Sequence, residues 1–197
     1  TYIDQLRMHH PHHPHFPSLT SLRLHALADI GGAQGSAVRI DALPRLVGHL
    51  SPEEYVKLKN GVLQMCESGR PMDGERIPED YINASLSDMQ DLVWHLTADN
   101  AVYGYAVAAV HSSDFGKILH ITLICSERGY GKTLFDTVLH YAREQGFAQV
   151  EIDPLNDTLE RLYLKWGKDA NPAVAFTRGS GLGGARSPLY ASLNGND

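Results

Sequence analysis

Lys117-Ile118-Leu119-His120-Ile121-Thr122-Leu123-Ile124-Cys125, followed by Ser126-Glu127-Arg128-Gly129-Tyr130-Gly131 and by residues 132–145, is the stretch on which the reading of the fold turns. Its first part is a run of β-branched and aliphatic residues, the composition of a well-buried strand. The two glycines break it. From Lys132 the period changes, because Leu134, Phe135, Val138, Tyr141 and Ala142 fall on one helical face and Lys132, Asp136, His140, Arg143 and Glu144 on the other. A glycine turn opening a helix leaves several backbone N–H groups unpaired at the helix end, where the macrodipole also favours negative charge. That makes an anion site, suited above all to phosphate.

Working outward, residues 91–96 and 102–110 read as two strands joined by Thr97-Ala98-Asp99-Asn100, so they predict a hairpin. Residues 111–116 read as the next turn, which sets the strand from Lys117 antiparallel to the one before it. Beyond the helix, residues 147–153 form a further strand, reached by a crossover and therefore able to lie parallel to the first. Asn156 or Asp157 then caps a helix, with Glu160 completing a box from Asp157 and with Leu159, Leu162, Tyr163 and Trp166 as its buried face. Residues 174–176 and 189–193 are the last expected strands, around a glycine-rich loop from Arg178.

Upstream, residues 37–41 predict a first strand, and Ser51-Pro52-Glu53-Glu54 a capping box with proline at the first helical position. The helix that follows, to about Glu67, carries an apolar stripe of Tyr55, Leu58, Val62, Met65 and Cys66. Residues 69–80 read as a loop and 79–86 as a short helix. Residues 1–36 differ from the rest: His9, His10, His12, His13 and His15 alternate with Pro11, Pro14 and Pro17, which block helix and sheet alike. A poorly ordered lead is expected there, with a short helix at Leu22, Leu24 and Leu27, ahead of one domain over 37–197. The prolines deny the histidines helical i, i+4 spacing, so no metal site is assigned.

With 197 residues, 43% hydrophobic and 20% charged, the chain suffices for one ordinary core. A formal net charge of −6 argues against nucleic acid as a partner. Cys66 and Cys125 cannot make a disulfide framework, and Cys125 reads as a small buried thiol. No run of 18 apolar residues marks a membrane span. A soluble cytoplasmic protein with no membrane partner is the expectation.

Two functional readings compete for the glycine turn. Residues 126–133 match the phosphate-binding pattern Gly-x-x-x-x-Gly-Lys-Ser/Thr except that Ser126 replaces the first glycine, which points to a nucleotide-binding P-loop. The order of elements, an antiparallel meander leading into strand, glycine turn, helix, parallel strand, helix and strand, instead resembles the GCN5-related N-acetyltransferase (GNAT) superfamily. That family's Gln/Arg-x-x-Gly-x-Gly/Ala motif has its counterpart in residues 126–131, with Ser126 in the first place. Its Asn…Leu/Phe-Tyr-x-Lys-x-Gly segment has one in Asn156, Leu162, Tyr163, Lys165 and Gly167, with Lys168 where an aromatic usually follows. The resemblance implies an α/β (α+β) fold with a mixed, mostly antiparallel central sheet, one parallel splayed pair and flanking helices.

It also implies a cosubstrate, acetyl-CoA, and transfer of its acetyl group to a primary amine on a small molecule or a protein. The pyrophosphate would rest on Arg128, Gly129, Tyr130, Gly131, Lys132 and Thr133, and the pantetheine arm along the backbone of Leu123 and Cys125. Backbone N–H groups near Ile124 would face the developing oxyanion, and Asn156 would touch the cofactor or simply cap its helix. His120 is the candidate base, its reference pKa of about 6.5 suiting proton transfer near neutrality; Glu151, Asp153 and ordered water are the other choices. Tyr163 is the candidate acid for the departing thiolate, or else one more residue of an apolar face. A domain that binds CoA without catalysis is a further alternative.

Overall fold

The computed structural model describes residues 38–40, 43–68, 77–99, 101–179 and 187–194. Along them run β1 (Val38–Ile40), β2 (Arg45–Leu46), a 3-10 turn (Val47–His49), α1 (Pro52–Ser68), α2 (Glu79–Ser85), β3 (Leu92–Ala98), β4 (Ala101–Ser113) and β5 (Gly116–Ser126). Then follow α3 (Gly131–Glu144), β6 (Gln149–Ile152), α4 (Asp157–Asp169), β7 (Thr177–Arg178) and β8 (Leu189–Ser192). The strands form one sheet in the order β1-β3-β4-β5-β6-β8-β7, with β2 set beside β3. Among them β5 and β6 run parallel and the other pairs antiparallel. The expectations for the histidine-rich lead, for Leu22 to Leu27 and for most of the loops at 69–76 and 180–186 lie outside the described residues.

Each face of the sheet carries its own core. On one, Trp94, Ala106, Ala108, Leu119, Ile121, Val150 and Ile152 pack against Leu134, Phe135, Val138 and Leu139 of α3 and Tyr163 of α4. The helical period read from the sequence marks Leu134, Phe135 and Val138, and Leu139 joins them: all four side chains are essentially fully buried, each stabilising the fold by about 1.5–3 kcal/mol. On the other face, Val93, Tyr105, Val107, Leu123 and Cys125 meet Leu58, Val62 and Cys66 of α1 and Ile82 of α2. The capping box of α1 forms as expected: Glu54 N–H donates to Ser51 Oγ at 3.1 Å and Ser51 N–H to Glu54 Oε1 at 3.0 Å.

Four expectations are corrected. The β4–β5 turn is shorter than residues 111–116, because the ladder continues to the pair Ser113↔Gly116 and leaves Asp114 and Phe115 as a two-residue loop. Residues 174–176 are not a strand; Val174 and Phe176 are buried against α4, and β7 begins only at Thr177. Glu160 closes no capping box, since the N-cap is Asn156 and the nearly buried Glu160 carboxylate is paired instead with Arg178. Finally, Cys66 and Cys125 are not separate thiols. The apolar stripe of α1 lies over the end of β5, bringing their Cα atoms to 5.4 Å, and the two are joined as a disulfide.

Glycine 61 sits in the middle of α1 for a packing reason. A Cβ there would come within 2.1 Å of the Tyr105 hydroxyl, and Tyr105 is held by the core beneath. Alanine would ordinarily favour the helix by about 1 kcal/mol, yet here overpacking costs about 1–3 kcal/mol. Gly61→Ala is therefore expected to lower the melting temperature; a variant melting above the wild type would show that Tyr105 yields freely.

Candidate functional site

Strand β6 pairs with only the first part of β5, from Ile118↔Gln149 to Ile121↔Ile152. The last link is Asp153 N–H donating to Ile121 C=O at 3.3 Å. Beyond it, Thr122 to Ser126 have no strand beside them on that side among the described residues, so the parallel pair opens toward its carboxyl end. Crevices outside the carboxyl ends of parallel strands are where α/β sheets bind ligands. Leu123, Ile124 and Cys125, expected to line a cofactor with their backbone, occupy this open edge.

A bulge marks where the opening starts. On the β4 side Ala108 pairs with Ile121 and Val107 with Leu123, leaving Thr122 as an extra residue. Its effect shows in the burial: Ile121 belongs to the α3 face and Leu123, two positions on, to the α1 face. An unbroken strand would place both on one face.

The glycine turn closes the far end of the crevice. Glu127 N–H donates to Tyr103 C=O at 2.8 Å, and the Tyr103 and Tyr130 rings lie 5.2 Å apart, which pins the turn to β4. Gly129 has φ +93°, and no atom lies within 4 Å of where a Cβ would stand. The first turn of α3 has no side-chain cap and no acidic residue. Backbone N–H groups at this helix start are thus free to meet an anion, in a space kept open by the missing side chain.

The remaining residues expected there contribute unequally. Arg128 is exposed and Tyr130 half-buried. Lys132 Nζ is drawn to Asp136 Oδ2 at 2.6 Å, and Thr133 is buried, so neither side chain reaches into the turn as a P-loop lysine and threonine would. With a sheet that is antiparallel apart from one pair, this does not fit a nucleotide hydrolase. Gly131 is small for another reason than ligand approach: its Cβ would stand 2.8 Å from the Trp166 ring.

At the inner end of the crevice, four elements bring titratable groups together. His120 Nε2 lies 2.8 Å from Asp153 Oδ1, and its Nδ1 3.9 Å from Glu151 Oε2. Tyr81 of α2 donates to Thr122 C=O at 2.6 Å, with its hydroxyl 3.0 Å from Asp153 Oδ2. The His111 ring lies 5.7 Å from that of His120. Burial works against a charged His120, but the hydrogen bond and charge of Asp153, with Glu151 and Asp91 beyond, outweigh it and raise the imidazole above its ordinary value. Asp91 is buried with Asp88 nearby and is pushed up to about 7.

Tyr163 reaches the same neighbourhood from the opposite face. It is 5% exposed, packs 5.5 Å from Trp166, and is raised above the ordinary phenol range by burial and then by the charge of Asp153. Asn156 Oδ1 accepts from Leu159 N–H at 2.8 Å, so its side chain serves as the helix cap. Sequence reasoning named His120 and Tyr163 and held Asp153 in reserve, but missed Tyr81. Nothing in the sequence of the short α2 helix distinguishes Tyr81; only the placing of α2 over the bulge does.

No protein-family model matches the chain, and no curated protein matches it. Among solved structures it is similar to the catalytic domain of the Tetrahymena GCN5 histone acetyltransferase in complex with coenzyme A, at 12% identity and TM-score 0.56, covering 81% of this chain and 95% of that one. It is also similar to FeeM, an N-acyl amino acid synthase from uncultured soil microbes (15% identity, TM-score 0.54, covering 82% and 92%). A GNAT-family acetyltransferase from Listeria monocytogenes gives 16% identity and TM-score 0.51, covering 77% and 94%. Sheet order, the single parallel pair, its opening and the glycine turn agree with this likeness: the chain has the fold of the GCN5-related N-acetyltransferase superfamily.

Proposed function

We propose that this protein is an acetyl-CoA-dependent N-acetyltransferase acting on a primary amine. The observation that carries the reading is the crevice between β5 and β6, with an open, positive-φ Gly129 and an uncapped helix start at one end and a histidine–carboxylate pair at the other. The residues present fit the cosubstrate. N–H groups of Arg128, Gly129, Gly131, Lys132 and Thr133 would hold its pyrophosphate, that of Tyr130 being donated within the turn to Glu127 C=O at 3.2 Å, and the free edge of Leu123, Ile124 and Cys125 would hold its pantetheine arm. Bound there, acetyl-CoA supplies an activated acetyl thioester.

The chain's own groups then have distinct tasks. His120 keeps its Nε2 proton on Asp153, which leaves the Nδ1 lone pair to take a proton from the incoming ammonium. Backbone N–H near Ile124 would oppose charge growing on the carbonyl oxygen. The Tyr163 phenol, kept protonated by its surroundings, can give its proton to the leaving sulfur. The carboxylates of Asp153 and Glu151 suit a cationic acceptor, and two of the similar structures, a histone acetyltransferase and an N-acyl amino acid synthase, are acylating enzymes by name.

Calorimetric titration with CoA, acetyl-CoA and Mg-ATP tests this reading. Saturable binding of the first two, with a melting temperature that rises with their concentration, is expected, and none for Mg-ATP. ATP binding without a response to CoA would overturn it. A protein that binds CoA yet transfers no acetyl group across a panel of amines would instead be a non-catalytic CoA-binding domain.

A further inference from the structure

The Tyr81 hydroxyl has one proton and two acceptors, Thr122 C=O at 2.6 Å and Asp153 Oδ2 at 3.0 Å. Thr122 is the bulged residue at which β5 leaves β6, and Asp153 is the residue that holds His120. A single side chain from α2 therefore touches both features that build the inner end of the crevice. Its ring is half-buried, and apolar packing from α2 is already supplied by Ile82. Anchoring the helix does not by itself call for a hydroxyl at this point.

We propose that Tyr81 is a positioning residue for the His120–Asp153 pair, its shared proton limiting the negative charge that Asp153 presents to His120 while its hydrogen bond to Thr122 fixes the bulge peptide. The importance of this for catalysis rests on reading His120 as the base. A carboxylate whose second oxygen accepts a hydrogen bond pulls less strongly on a neighbouring proton. Without the Tyr81 hydroxyl, Asp153 would hold the imidazolium more tightly, and His120 would be a free base only at higher pH. The other groups facing His120 are Glu151 on β6, His111 on β4 and Asp91 ahead of β3, with Tyr163 of α4 acting on Asp153 from the far side. Tyr81 is the uncharged member of this set that hydrogen-bonds the carboxylate directly.

The test is an NMR titration of the His120 ring protons in the full chain, assigned by comparison with His120→Gln. In Tyr81→Phe the His120 pKa should rise by about 0.5, whereas Asp153→Asn should lower it. A second replacement, 3,5-difluorotyrosine at position 81, keeps the ring and hydroxyl but strengthens the donor, and should lower the value. Movement in opposite directions for the two Tyr81 replacements supports the proposal. An unchanged or lowered pKa in a folded Tyr81→Phe protein overturns it, as does an unchanged value with difluorotyrosine should the phenylalanine variant fail to fold. No cosubstrate enters the titration, so a failure of CoA binding would count against the proposed function and leave this result readable.

Discussion

Removing the Cys66–Cys125 bridge is expected to cost about 4 kcal/mol of stability and to lower the melting temperature by about 10 °C. The magnitude follows from the separation of 59 residues between the two cysteines: opening so long a loop returns much conformational freedom to the unfolded chain. Only 7% and 6% of the two residues is exposed, so reductant meets a shielded bond. The Cys66→Ala, Cys125→Ala double variant is therefore the cleaner comparison, and each alanine adds a small loss of packing. Calorimetry of the double variant and of the untreated protein gives the difference, and a thiol count on the unfolded, unreduced protein should find none. Equal melting temperatures would mean that the bridge contributes nothing beyond the packing of α1 on β5. Buried bridges persist in oxidising surroundings and are rare in a reducing cytosol, so the same thiol count on protein taken from cells bears directly on the cytoplasmic placement expected from the sequence.

The bridge also illustrates where the sequence stops being legible. The change of period at the glycine turn is local, a matter of consecutive residues, and from it β5, the turn, α3 and β6 follow with boundaries close to those observed. The pairing of Cys66 with Cys125 depends on how α1 crosses the sheet, which no local pattern records. Thr122 is a subtler case. Read as an alternating strand, residues 119–125 give no sign that the facing reverses midway, yet this reversal puts Ile121 and Leu123 on opposite faces and gives Tyr81 a carbonyl to grip. Glu160 shows a local rule losing to tertiary structure. Its spacing from Asp157 suits a capping box, but an almost buried carboxylate gains more from the guanidinium of Arg178 than from one backbone N–H. His120 was visible as a titratable residue in an apolar strand; its partner Asp153 was visible only as one of several carboxylates, because side-chain pairing across two strands depends on register.

Tyr163→Phe should lower kcat by roughly 10²-fold or more while leaving CoA affinity nearly unchanged. Two roles compete for this residue. Its burial, and its contact with Trp166 within the core formed by α3 and α4, are what any apolar-face residue would show. A core role, however, makes no use of the hydroxyl, and burying a phenol without a purpose for its oxygen carries a desolvation cost that phenylalanine avoids. Asp153 acts electrostatically on Tyr163 and on Tyr81, which ties Tyr163 to the group that orients His120 although its ring enters from the other side of the sheet. Burial first, then the charge of Asp153, hold the phenol in its protonated form, as required of a proton donor to a thiolate at neutral pH. The substitution keeps the ring and removes only the oxygen, so the packing contribution is conserved and melting temperature serves as the control. A stable variant with depressed kcat and unaltered CoA binding identifies an interaction made in the transition state rather than in the ground state. Equal turnover of variant and wild type on the same acceptor amine would return Tyr163 to the core and leave the thiolate to depart unassisted.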